Sequence, residues 1–160
     1  MNKKITIAID AMGGDNSPDK TIHGLSLFLK ENKSDDVFFN LFGDEPKIID
    51  KIKKYSIKKD FYKIIHTASV VSDDETPLTA IKNSKNTSMW NCVKSQIGGN
   101  SNISLSAGNT GVLMVISKMI LKMMSQVSKP ALAALWPNQK GMTVVLDLGA
   151  NIECSEDNLI

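Results

Sequence analysis

The sequence predicts an α/β protein built around a mostly parallel sheet. Three observations lead there. Short β-branched runs alternate with amphipathic stretches along the whole chain, the pattern of strand–helix–strand units. Glycine-bearing turns follow three of the predicted strands. No repeat, low-complexity linker or internal boundary interrupts the 160 residues, so residues 1–160 are expected to form a single domain.

Residues Ile5 to Ile9 are an apolar, β-branched run ending at Asp10, which predicts a buried strand. Gly13 and Gly14 follow, and then Asn16-Ser17-Pro18, where Ser17 is the expected N-cap and Pro18 the first helical residue. That helix should reach about Lys30 with Ile22, Leu25 and Leu29 on its apolar face. A second strand is expected over Val37 to Phe42. Pro46 opens a helix that turns Ile48, Ile49 and Ile52 inward, and Tyr62 to His66 reads as a third strand. The acidic run Asp73-Asp74-Glu75-Thr76-Pro77 opens a helical stretch to about Ile97, with a break near Asn86-Thr87. Ile103 to Leu105 is a short strand, and the turn Ser106 to Gly111 leads into an apolar helix over Val112 to Met124. Strands near 131–136 and 143–148 should complete one sheet of six, after which Gly149-Ala150-Asn151 leads toward a further helix.

Composition excludes several classes. With 42% hydrophobic and 22% charged residues and a net charge of +2, the chain is a globular composition without the basic excess of a nucleic-acid binder. All 19 basic residues are lysine, so any side-chain cation here is a point charge without the guanidinium fork. Cys92 and Cys154 lack metal-ligand spacing and read as idle thiols. The amino-terminal apolar run is too short for a signal-peptide core, and the Val112–Met124 stretch is too short, and too interrupted by lysine, to span a bilayer. A cytoplasmic protein is expected. His23 and His66 stand alone, with no nucleophile–histidine–carboxylate team.

Ligands of open parallel sheets bind beyond the carboxyl ends of the strands. If the strands are parallel, the turns at Asp10–Asp15, Ser106–Gly111 and Asp147–Asn151 share one rim. The second is the best anion candidate: glycines permit close backbone approach, and the following helix offers free N–H groups. Asn109 and Thr110 add side-chain donors there, or else simply cap the helix. Asp10 and Asp15 flank Gly13 and Gly14, either as a working carboxylate pair or as strand-end and cap residues. Asp147 likewise either bonds to its own loop or acts at the rim. Neither GxxxxGK[ST] nor GxGxxG occurs, which disfavours a nucleotide site.

Several segments resemble the PlsX family of phosphate acyltransferases. IAIDAMGGDNSP over Ile7–Pro18 is similar to the family's opening motif, and SAGNTGVLM over Ser106–Met114 to its SAGNTGALM. KPAL from Lys129 resembles RPAL, TVVLDLGAN over Thr143–Asn151 matches a further signature, and Pro77, Ala80, Lys82 and Thr87-Ser88-Met89 follow another. The resemblance implies the three-layer α/β/α sandwich shared with phosphotransacetylases and isocitrate-type dehydrogenases, and a homodimer that moves an acyl group from acyl carrier protein to inorganic phosphate for phospholipid synthesis. It also implies no metal or organic cofactor, and peripheral membrane association in full-length members; the small net charge argues against a nucleic-acid partner.

On this reading phosphate is positioned by Ser106, Gly108, Asn109, Thr110 and Gly111. Lys82, Asn109 and Asp10 are the catalytic candidates. Gly13, Gly14, Asp15, Ser88, Asp147, Gly149 and Asn151 shape the rim. Lysines stand at 82, 85 and 129 where the family carries arginine. Family members are about twice this length, so the chain matches their N-terminal half, and the expectation is a truncated or split product. The alternative is a non-catalytic remnant, or a subunit that needs a complementing chain. A third reading, half of a dehydrogenase, is opposed by the missing dinucleotide fingerprint.

Overall fold

A computed structural model describes residues 4–32, 36–72, 74, 76, 79 and 82–148. The chain divides into two compact units, residues 1–121 and 122–160.

In the first unit the strands are β1 (Ile5–Asp10), β2 (Val37–Gly43), β3 (Tyr62–His66) and β4 (Ile103–Leu105), and the helices are α1 (Asp19–Glu31), α2 (Glu45–Tyr55), α3 (Ser88–Ile97) and α4 (Thr110–Leu121). All strand pairings are parallel, in the order β3-β2-β1-β4. Side chains alternate across the sheet. Ile9, Phe39 and Leu41 face α1 and α2, where Ile22, Leu25, Ile48 and Ile52 complete a core. Ala8 and Phe42 face the other way, against Cys92 of α3. A further cluster joins α3 to α4 through Met89, Val93, Val112, Ile116 and Ile120, with Val71 from the preceding loop. Each fully buried aliphatic side chain contributes roughly 1.5–3 kcal/mol, so these clusters hold the three layers together.

The helix starts follow local chemistry. Asp44 caps α2 by accepting from the Lys47 N–H at 3.3 Å, and the His66 imidazole accepts from the Glu45 N–H at 3.2 Å. Ile48 and Ile52 are buried as expected, with Ile49 half-buried. The expected break after the acidic run is real: Asn86 has φ +70°, and Thr87 caps α3 by accepting from Trp90 N–H. Asp73, Glu75, Pro77 and Ala80 lie outside the described residues. His23 of α1 stacks on Tyr55 at 4.8 Å, a structural role. Ser17 departs from expectation. Its hydroxyl donates back to the Gly13 carbonyl, and Pro18 occupies the cap position with no side-chain bond. Ser17 therefore braces the glycine turn and leaves the helix uncapped.

The second unit holds β5 (Ala133–Asn138) and β6 (Gly141–Leu146), which among the described residues pair with each other alone, and antiparallel. The expectation that both strands join the parallel sheet is corrected. Gln139 and Lys140 alone link them, and Gly141 takes φ +141° at the turn. A two-residue link closes a hairpin, whereas a parallel neighbour needs a crossover of a dozen residues or more.

Candidate functional site at the carboxyl rim of the sheet

The chain runs outward from β1 to β2 and β3, then returns to the far side of β1 as β4. Strand order reverses between β1 and β4, and open α/β sheets bind ligands at that reversal, beyond the carboxyl ends. Two of the three glycine turns leave the sheet there, one after Asp10 and one after Leu105.

These turns interlock. Asp10 is 2% exposed; its Oδ2 accepts from the Ser106 hydroxyl at 2.7 Å and its Oδ1 from the Met12 N–H at 3.3 Å. The Ser106 oxygen in turn accepts from the Gly108 N–H at 3.2 Å. A β-carbon added at Gly13 would lie 2.6 Å from Asp10 Oδ2, 2.8 Å from the Gly108 nitrogen and 2.8 Å from Ser106 Oγ. Gly14, at φ +84°, has room for no more, since its β-carbon would meet the Ala107 carbonyl oxygen at 2.5 Å. The glycines are the space through which the second turn passes the first.

Beyond the interlock α4 begins. Asn109 Oδ1 accepts from the Val112 N–H at 3.1 Å, and the Asn109 carbonyl from the Leu113 N–H at 2.9 Å. Of the two sequence alternatives for Asn109, its oxygen performs the cap. That leaves the Thr110 and Gly111 N–H groups at the positive end of the helix, the end that favours negative charge. Thr110 is exposed.

The other candidates fall as follows. Asp15 is exposed beside the first turn. Lys82 is helical and exposed, and enters no ion pair among the described residues. Ser88 is fully buried at the start of α3. Asp147 follows β6 at φ +56°, and its N–H donates to the Leu132 carbonyl at 2.7 Å. Gly149 and Asn151 lie outside the described residues.

An apolar cavity of about 440 Å³ opens beside the interlock, lined by Ile7, Ile9, Leu25, Phe28, Phe39 and Leu105, with Asp10, Ser106 and Lys20 also in its wall. A larger, more open depression of about 760 Å³ runs along β2 and β3 beside α3 and touches neither glycine turn. Cys92 is no nucleophile: burial, and secondly the Asp10 charge, push its thiol up to about 12. Among the described residues no group of three or more His, Cys, Asp or Glu is placed to hold a metal ion, and no helix is long and apolar enough to cross a membrane.

Sequence reading missed Met89. Its methyl group lies 2.9 Å from where a Gly108 β-carbon would be, so the start of α3 abuts the second turn. The signal was present only as an apolar residue directly after a helix cap.

Fold and rim together define a parallel α/β sandwich with an anion-suited turn at its topological switch point. The chain belongs to the family of fatty acid synthesis proteins, whose model matches residues 5–160. It is similar to the phosphate acyltransferase of Pelagibacter ubique, 52% identical over the whole chain and 47% of that relative. The phosphate acyltransferases of Rhodospirillum rubrum and Azorhizobium caulinodans are 40% and 38% identical, again over the whole chain and 45% of each relative. The chain thus spans about half the length of the curated relatives it matches.

Proposed function

We propose that this chain supplies the phosphate-positioning wall of an acyltransferase that converts an acyl-carrier-protein thioester and inorganic phosphate into acyl phosphate. The observation that carries the reading is the interlock of two glycine turns at the β1–β4 switch point, directly before the first turn of α4. Phosphate is held by the Thr110 hydroxyl and the Thr110 and Gly111 N–H groups, and Ser106, Gly108 and Asn109 fix the shape of that turn. A phosphate oxygen attacks the thioester carbonyl. The new C–O bond forms as the tetrahedral oxyanion, which then collapses with cleavage of the C–S bond and departure of the carrier thiolate. Phosphate is itself a competent nucleophile, so the protein's work is to orient two anionic partners and stabilise the oxyanion. The apolar cavity beside the turn suits the acyl chain, and Lys82 is the candidate for cationic support.

Because the chain spans about half of its relatives, the activity is assigned to a complete cleft, in which the remaining length of a family member or a complementing chain forms the opposite wall. The test is release of free thiol from acyl carrier protein thioester on adding phosphate. The 160-residue chain is assayed alone and with a polypeptide covering the remaining part of the Pelagibacter ubique relative. Turnover is expected only in the mixture. Thr110→Ala should reduce phosphate use there roughly ten- to hundredfold, the equivalent of ~1.5–3 kcal/mol for one hydrogen bond to a charged group. Unchanged phosphate dependence in a folded Thr110→Ala mixture would remove this turn as the site.

A further inference from the structure

The first turn of α3 carries an oddity that the Ser106–Gly111 turn does not explain. Ser84 and Ser88 are both 0% exposed, yet neither hydroxyl oxygen has a hydrogen-bond partner. Buried hydroxyls are nearly always paired, and an orphaned one costs about 1–3 kcal/mol. Thr67, at the end of β3, has a third unpartnered buried hydroxyl, while other groups near α3 are paired. Thr87 donates its hydroxyl to the Ser84 carbonyl at 2.7 Å and accepts from the Trp90 N–H at 3.2 Å. The Ser88 N–H donates to the Ser69 carbonyl at 3.0 Å. Two orphaned hydroxyls therefore lie at, or four residues before, the positive end of a ten-residue helix.

The location is as telling as the chemistry. From the end of β3 the chain crosses toward α3, bridging Ser69 to Thr87 and packing Val71 against the α3–α4 core. The start of α3 therefore lies at the carboxyl side of the sheet, and Met89 abuts Gly108 of the second glycine turn. Lys82 and Lys85, both exposed, stand on the approach to this helix and raise the local concentration of anions.

We propose that Ser84 and Ser88, with the first turn of α3, form a second hydroxyl clamp for a tetrahedral oxyanion, inorganic phosphate being the simplest, beside the Ser106–Gly111 turn. The inference rests on reading this rim as a phosphate-binding edge and extends it to residues on a different helix. Rotation about χ1 moves a serine oxygen from one staggered well to another, and that movement carries the orphaned oxygens from their closed positions to the ligand.

The test uses the 160-residue chain and inorganic phosphate, with chloride at matched ionic strength as reference. Thermal midpoints are recorded across a phosphate titration for the wild type, Ser84→Ala, Ser88→Ala, the double variant and Thr110→Ala. An orphaned hydroxyl makes no bond to lose, so the serine variants should keep or raise the phosphate-free midpoint. The wild type should be stabilised by phosphate beyond chloride, and the double variant should need at least tenfold more phosphate for the same rise. A double variant that responds like the wild type overturns the clamp, as does a wild type that responds no better to phosphate than to chloride. A lowered phosphate-free midpoint in both single variants also overturns it, since the hydroxyls would then have structural partners. Loss of response in Thr110→Ala alone retains the glycine turn and removes the clamp; loss in the serine variants alone does the reverse.

Discussion

Gly13→Ala is the sharpest probe of the rim, because one added methyl group meets three atoms at once. The new carbon would lie 2.6 Å from Asp10 Oδ2, 2.8 Å from the Gly108 nitrogen and 2.8 Å from Ser106 Oγ. One of the three is backbone, and the other two are the ends of the 2.7 Å Asp10–Ser106 bond, so none retreats without breaking the tie between β1 and β4. Overpacking a tight site costs about 1–3 kcal/mol, and a hydrogen bond to a charged group is worth about 1.5–3 kcal/mol. Against this stands about 0.4–1 kcal/mol from stiffening the unfolded chain. The balance is a loss of roughly 2–4 kcal/mol. Gly24→Ala is the control: it lies in α1 with nothing within 4 Å of the added carbon, and alanine exceeds glycine in a helix by roughly 0.8–1 kcal/mol. Urea unfolding followed by helical circular dichroism should move the two midpoints in opposite directions, since every helix with given bounds belongs to the first unit. A Gly13→Ala midpoint equal to or above the wild type would refute the interlock.

Three further outcomes are expected. Lys54, then Lys51 and Tyr55, hold the Asp19 carboxyl well below the usual carboxylate range. A carboxyl depressed on folding adds stability above its unfolded pKa and loses it as pH falls, so the gap between wild type and Asp19→Asn should be open at neutral pH, close in strong acid, and shrink in high salt. In a Cys154→Ser background the Cys92 thiol, pushed up to about 12, should resist a thiol-specific reagent at pH 8 until the chain unfolds; rapid stoichiometric labelling of native protein would contradict its burial. Leu135, Trp136, Val144 and Leu146 are all at least 60% exposed on the β5–β6 hairpin. Concentration-dependent self-association is therefore expected in sedimentation experiments and should fall in Val144→Lys, a standard remedy for a sticky hairpin.

The four parallel strands and their helices were legible because each carries a local signal: an apolar run closed by glycine or aspartate, then a periodic stretch. The hairpin was legible too: residues 137–142, between the expected strands at 131–136 and 143–148, are too few for a crossover, so those two strands cannot be parallel neighbours of each other. The motifs pointed to the rim, while the bonds that build it were hidden. That Ser17 would brace Gly13 rather than cap α1, and that Asp10 would reach Ser106 across 96 residues, depends on β1 and β4 being neighbours. The residue type alone allows Asn109 to be a donor or a cap; the helix start at Thr110 decides it for the oxygen.

The lysine-only composition now acquires a structural meaning. A guanidinium fork can orient phosphate by itself, whereas an ammonium group on a flexible stem supplies charge without direction. With no arginine in the chain, the proposed phosphate site would take its direction, on this chain's side, from groups already fixed by the fold. The interlocked glycine turns provide that. Asp10 holds Ser106, Ser106 holds Gly108, and Asn109 caps α4, so the Thr110 and Gly111 donors are set before any anion arrives. Lys82 is exposed and outside every ion pair among the described residues, so it can raise the local anion concentration but is poorly placed to fix an angle. Preorganised donors cost no rearrangement at the moment of reaction. In the complemented assay, Lys82→Gln should therefore weaken phosphate use in a salt-dependent way, while Thr110→Ala should weaken it at every ionic strength. Equal salt dependence in the two variants would place the orienting role on the lysine.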